Sequence, residues 1–121
     1  MSQFYSSLIC PVCGEGYLHQ GAVVSCFRER EDAPSRAVML TGGDLMLDAI
    51  ATNPSPRRDG LYIKFECEIC HGADRPVDDT PPYYLTIFQH KGYTYIYWEL
   101  PNNTVARFVT DENSGYVRNE V

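Results

Sequence analysis

Four of the five cysteines in this chain fall in two CxxC pairs, Cys10-Pro11-Val12-Cys13 and Cys67-Glu68-Ile69-Cys70. A two-residue gap lets one tight turn aim both sulfurs at the same ion, while amides of that turn donate to the thiolates and offset their charge. Two pairs together supply four soft thiolates, the number that closes a tetrahedral zinc site. Gly14 and Gly72 follow the pairs and suit the backbone reversal such a turn requires. The expectation is one structural Zn2+ held by Cys10, Cys13, Cys67 and Cys70. An ion with four protein ligands has no open position for water or substrate, so the expected role is not catalytic. Glu66 and Glu68 flank the second pair, but strand alternation points them away from the face of Cys67. No nucleophile–base pair is evident from spacing.

Other chemistry is open to the same residues. Either pair could be redox-active, and Cys67-Glu68-Ile69-Cys70-His71 matches the CxxCH attachment pattern of a c-type haem. His71, His19 or Cys26 could replace a cysteine ligand, although a strand cysteine is more often a small buried hydrophobe and a histidine more often a core or surface residue. Covalent haem normally requires export. The start, Met1-Ser2-Gln3-Phe4-Tyr5, lacks the basic and apolar stretches of a signal peptide, and no apolar run is long enough to span a bilayer. The chain therefore reads as cytoplasmic and soluble, in a compartment that keeps thiols reduced and favours metal ligation over disulfides.

The metal must be positioned by strands. Cys13 and Cys67 lie 54 positions apart, where simple ribbons use about 15–20 residues, so a sheet is inserted between the knuckles. Closure entropy rises slowly with loop length, so the insertion is tolerable. The segment Met1 to Gly16 carries the first knuckle and little else. Tyr17 to Arg28 reads as a strand, and Ala37–Leu40 and Leu45–Leu47 flank Gly42-Gly43 as a hairpin, with a short helix over Leu45–Ala51 as the alternative. Thr52 to Gly60 contains two prolines and a glycine and cannot be regular. Leu61, Ile63, Phe65 and Cys67 alternate with Tyr62, Lys64, Glu66 and Glu68, a strand that delivers the second pair. After a loop from Gly72 to Pro82, Tyr83–His90 and Tyr93–Leu100, separated by Lys91-Gly92, make the strongest hairpin signal, and Pro101-Asn102-Asn103 turns into Thr104–Thr110. At 121 residues one domain is expected, mainly β, a zinc-ribbon-like antiparallel sheet covering 1–110 with a polar tail over 111–121.

The formal net charge of −6 argues against a general polyanion binder, since nucleic-acid affinity comes largely from Lys and Arg. A four-thiolate site would take the charge to about −8. Candidate binding surface lies at Arg57 and Arg58, which could clamp a phosphate or carboxylate or be solvated and answered by Asp59. It also lies at Tyr93, Tyr95 and Tyr97, one face of the last long strand. If Ile96 and Trp98 fill the core, that tyrosine face is open to a partner or covered by a second layer.

Cys-Pro-Val-Cys-Gly at Cys10 to Gly14 resembles the knuckle of the zinc-ribbon superfamily, and Cys67 to Gly72 looks like its partner knuckle. Tyr17-Leu18-His19, Glu31-Asp32, Asn53 to Gly60 and Gln89-His90-Lys91-Gly92 resemble a group of small bacterial and phage proteins with paired cysteines, which carries no activity over to this chain. The resemblance implies a phage or mobile-element origin, where small acidic proteins often look like inhibitors of host or defence proteins. The first functional expectation is thus a non-catalytic, zinc-stabilised interaction module for a protein partner, its acidic surface imitating nucleic acid. The alternative is a nucleic-acid-binding ribbon using Arg57, Arg58, Lys64 and Lys91. A metal-dependent enzyme with an exchangeable ligand stands third.

Overall fold

A computed structural model describes residues 6–71, 81–108 and 110–111, and among these there is no helix. Nine strands occur: β1 (Ser7–Leu8), β2 (Leu18–Arg28), β3 (Ser35–Thr41), β4 (Asp44–Leu47), β5 (Gly60–Cys67), β6 (Tyr83–His90), β7 (Tyr93–Leu100), β8 (Thr104–Arg107) and β9 (Thr110–Asp111). Seven form one antiparallel sheet in the order β4-β3-β2-β5-β6-β7-β8, and β1 pairs with β9 in a separate two-stranded sheet. The mainly β expectation holds. The short helix considered for Leu45–Ala51 does not form, because Leu45 and Leu47 pair with Leu40 and Val38 in the β3–β4 hairpin. The strand expected over Thr104–Thr110 stops at Arg107, and Thr110 instead pairs with Leu8. That pairing also corrects the reading of the first sixteen residues as a bare knuckle. Most of the loop after Cys70 and the tail beyond Asp111 lie outside the described residues.

The two tight hairpins follow from turn chemistry. Gly42 and Gly43 take φ of 57° and 86°, and Lys91 and Gly92 take 53° and 84°. Two successive left-handed residues make the turn whose twist matches antiparallel strands. The long β2 strand carries a bulge between Gln20 and Val23. An extra residue inverts the alternation, so Leu18 and Gln20 share a face with Val23, Ser25 and Phe27.

Ladder partners point the same way. On one face of the sheet a row runs Leu45, Leu40, Val23, Ile63, Leu85, Trp98 and Ala106, and the next runs Leu47, Val38, Ser25, Leu61, Ile87 and Ile96. The two cysteine turns cover one end of this face, where Phe65, Tyr83, Leu85 and Trp98 form the main core with Cys10 and Cys67. Trp98 is fully buried, whereas Ile96 remains 38% exposed, so only one of these two neighbours serves the core. Toward β3 and β4 the same rows are open, with Leu40, Leu45 and Leu47 more than half exposed.

The opposite face is covered by the segment after β4. Ala49 and Ala51, with Met39 and Tyr62, pack on Val24, Cys26 and Ala37, and the Ala49 N–H donates to the Ala37 carbonyl at 2.9 Å. Buried Ser55 staples this segment to the sheet: its Oγ donates to the Gln89 carbonyl at 2.6 Å and accepts from the Arg58 N–H at 2.9 Å. Arg28 adds donors to the carbonyls of Ala33 and Ser55 at 2.9 and 3.1 Å. A loop with no regular structure thus has its polar groups satisfied by side chains that happen to surround it.

Candidate metal centre

The first turn is closed by the backbone. The Gly14 N–H donates to the Cys10 carbonyl at 2.9 Å and the Cys10 N–H to the Glu15 carbonyl at 2.8 Å, with Gly14 at φ 81°, a conformation that glycine adopts at no steric cost. The second turn grows from the end of β5, where the His71 N–H donates to the Cys67 carbonyl at 2.7 Å. In each turn the first sulfur accepts from the backbone, Cys10 from Val12 N–H at 3.4 Å and Cys67 from Cys70 N–H at 3.5 Å. The pairing of Leu18 with Cys67 and the bond from Glu68 N–H to the Tyr17 carbonyl at 2.9 Å hold the second turn against the start of β2.

These turns bring all four sulfurs within 4.8 Å of one another. Cys10 Sγ lies 3.9 Å from Cys70 Sγ, and Cys13 Sγ lies 3.5 Å from Cys67 Sγ. Sulfurs at the corners of a tetrahedron about 2.3 Å from a central ion are about 3.8 Å apart, so the donor set fits a four-coordinate metal. Each close pair joins one cysteine of each turn, which ties the two ends of a 54-residue separation together. Cys10 and Cys67 are buried, whereas Cys13 and Cys70 are partly exposed.

Without a cation the cluster resists ionisation. Burial pushes the thiols of Cys10, Cys13 and Cys70 above the ordinary thiol range. Burial acts on Cys67 in the same direction, but N–H groups of Cys70 and Ile69 and the neighbouring thiols of Cys13 and Cys10 outweigh it and leave Cys67 below that range. Burial thus keeps protons on Cys10, Cys13 and Cys70, and a bound cation would displace them and hold the sulfurs as thiolates. Tyr83 beside them is raised well above the ordinary phenol range by burial, then by the Cys70 thiol.

His71, His19 and Cys26 take no place among the four sulfurs. The Nδ1 of His71 accepts from the Cys67 N–H at 2.8 Å, its Nε2 lies 2.9 Å from the Pro81 carbonyl, and its ring meets Tyr83 edge-on with centroids 4.6 Å apart. It braces the second turn from outside, a role for which its place directly after Cys70 was the one available signal. His19 pairs with Glu68 on the exposed side of the sheet, and Cys26 is buried with Val24 and Ala37 on the other face.

The remaining candidates lie elsewhere. Arg57 makes a two-pronged bond to Asp32, Nε–Oδ1 and Nη2–Oδ2 both 2.9 Å, and both Arg57 and Arg58 approach Glu31, at 3.7 and 3.6 Å. Their answering carboxylates are thus Glu31 and Asp32. The expected Asp59 instead accepts from the Arg28 N–H at 3.0 Å. Tyr93 is 69% and Tyr95 44% exposed, with Tyr95 stacked on Phe88 at 5.1 Å, whereas Tyr97 is half-buried. No protein-family model, curated protein or solved structure matches the chain.

Proposed function

We propose that Cys10, Cys13, Cys67 and Cys70 hold one structural Zn2+ and that the protein is a non-catalytic interaction module whose sheet the ion stabilises. The observation carrying this reading is the convergence of four sulfurs, 3.5 and 3.9 Å apart across the two turns, the ligand number that completes a tetrahedral site. Four thiolates favour zinc over oxygen-seeking cations, and zinc needs no redox partner or preferred geometry beyond the tetrahedron. Partner binding is supported by the apolar side chain that the β3–β4 end of the sheet leaves to solvent, where the neighbours Leu40, Leu45 and Leu47 are 52%, 61% and 68% exposed, since a small protein rarely exposes contiguous apolar surface without use for it. A protein partner of host or defence origin would be one such use. The nucleic-acid alternative draws on Arg57, Arg58, Lys64 and Lys91, and the first three already face a carboxylate, Lys64 meeting Glu66 at 3.9 Å, which weakens its phosphate-binding case.

Titration of the metal-free protein with Co2+ tests the site. Intense thiolate-to-cobalt absorption, the visible bands of a tetrahedral ion, saturation at one equivalent and displacement by Zn2+ are expected. A six-coordinate spectrum, or no thiolate band, would overturn the assignment.

A further inference from the structure

On the face opposite the metal centre, Tyr62 of β5, Tyr84 of β6 and Tyr97 of β7 surround a cavity of about 480 Å3, closed at the rim by Pro54, Glu99 and Asn103. The register places the walls. Tyr62, Thr86 and Tyr97 form one row, with Thr86 fully buried between the two rings, and Lys64, Tyr84 and Glu99 form the next. The rings of Tyr62 and Tyr84 stand at 89° with centroids 5.6 Å apart, giving two walls at right angles. Asn102 and Asn103 hold φ of 65° and 60°, which turns β7 back into β8 at the rim. Glu99 is exposed and makes no ion pair among the described residues. Burial, and after it neighbouring charge that includes Glu99, pushes the phenols of Tyr62 and Tyr97 up, so both remain uncharged aromatic walls at neutral pH.

We propose that this cavity binds an organic ammonium group, either the alkylated head of a lysine side chain presented by a partner or a free quaternary amine. Aromatic faces carry negative potential and attract a cation whose methyl groups also bury apolar area against the rings. Glu99 supplies the one formal charge among the lining residues; Lys64 and Arg107 stand next to Tyr84 and Tyr97 in the ladder rows without lining the cavity, and Lys64 reaches Glu66 at 3.9 Å. The net charge of −6 enriches cations around the molecule. The volume falls in the range of small-ligand sites, and a single carboxylate, Glu99, among neutral phenols, amides and the Thr52 hydroxyl supplies too little negative charge for a hard divalent ion. The site deepens the partner-binding reading while lying away from the sulfurs, so metal content and ammonium binding fail separately.

Choline, its neutral carbon isostere and a blocked trimethyl-lysine would each be titrated into metal-loaded protein while tyrosine ring resonances are followed by NMR. Saturable shifts at Tyr62, Tyr84 and Tyr97 with a millimolar Kd are expected for the cations and not for the isostere. The tighter cation identifies the source as free amine or side chain. Tyr97→Phe keeps binding, whereas Tyr97→Leu and the exposed Glu99→Gln each weaken it about two- to fivefold, with Trp98 fluorescence unchanged as the check on folding. Equal binding of the neutral isostere, absence of saturable shifts, or affinity unmoved by both Tyr97→Leu and Glu99→Gln overturns the proposal.

Discussion

Stripping the metal with a chelator, or replacing Cys67 with serine, should cost the protein a large share of its stability. The size follows from the topology, because the sulfur contact between Cys13 and Cys67 closes a loop of 54 residues. A cross-link over that span removes about 14 cal/mol/K of chain entropy from the unfolded state, or about 4 kcal/mol at room temperature. Small domains have a total of about 5–15 kcal/mol to lose, and at this chain length each kcal/mol moves Tm by about 4 °C. The expected fall is therefore about 15 °C. Trp98 is the single tryptophan of the chain and fully buried in the cluster that includes Cys10 and Cys67, so its emission reports on this core directly. Thermal melts followed by that emission, with and without chelator, measure the effect. A shift under about 3 °C, with the metal shown to be gone, would refute the idea that the cross-link holds the two ends of the insertion together.

Gly60→Ala should destabilise by about 1–3 kcal/mol in denaturant melts, because a Cβ there would lie 2.5 Å from Pro54 Cγ and 3.0 Å from Asn53 Oδ1, atoms of the stapled loop. Thr86→Val should move stability by no more than about 1 kcal/mol in the same assay, since the buried Thr86 Oγ1 makes no hydrogen bond of normal geometry, only an approach to the Tyr97 phenol, and the replacement keeps the shape. The two forms of the protein should respond to pH with opposite sign. Raised thiols at Cys10, Cys13, Cys26 and Cys70 bind protons more tightly folded than unfolded and outnumber the lowered Cys67, which acts with opposite sign, so their contribution to the metal-free protein is intact below the ordinary thiol range and is lost as pH rises from there through their raised folded values. Metal binding displaces those protons, so the loaded protein weakens as pH falls. Melts across both ranges check the two slopes, and parallel slopes would contradict the account.

Local chemistry was the part legible in the sequence. The CxxC turns, the alternation of β5, and the hairpins at Gly42-Gly43 and Lys91-Gly92 are specified within a few residues by turn geometry and period, and all appear at the expected positions. The pairing of Leu8 with Thr110 was not legible, since a two-residue strand has no period and its partner lies at the far end of the chain. Nor was the bulge after Gln20, where the alternation of β2 inverts. Thr52 to Gly60 was recognisable as irregular, but its role as a cover for one face depends on Ser55 reaching Gln89 and Arg28 reaching Ser55, contacts between remote segments. Arg57 finding Asp32 rather than Asp59 two positions on has the same origin. Alternation identified an apolar face without indicating that its β3–β4 end would stay open.

Metal content per chain, measured by mass spectrometry of elements on protein purified without added metal, tests the central claim most directly. About one zinc per chain, lost in Cys10→Ser and in Cys67→Ser, is the predicted result. A chain that carries no metal, or one whose metal survives both substitutions, would contradict it.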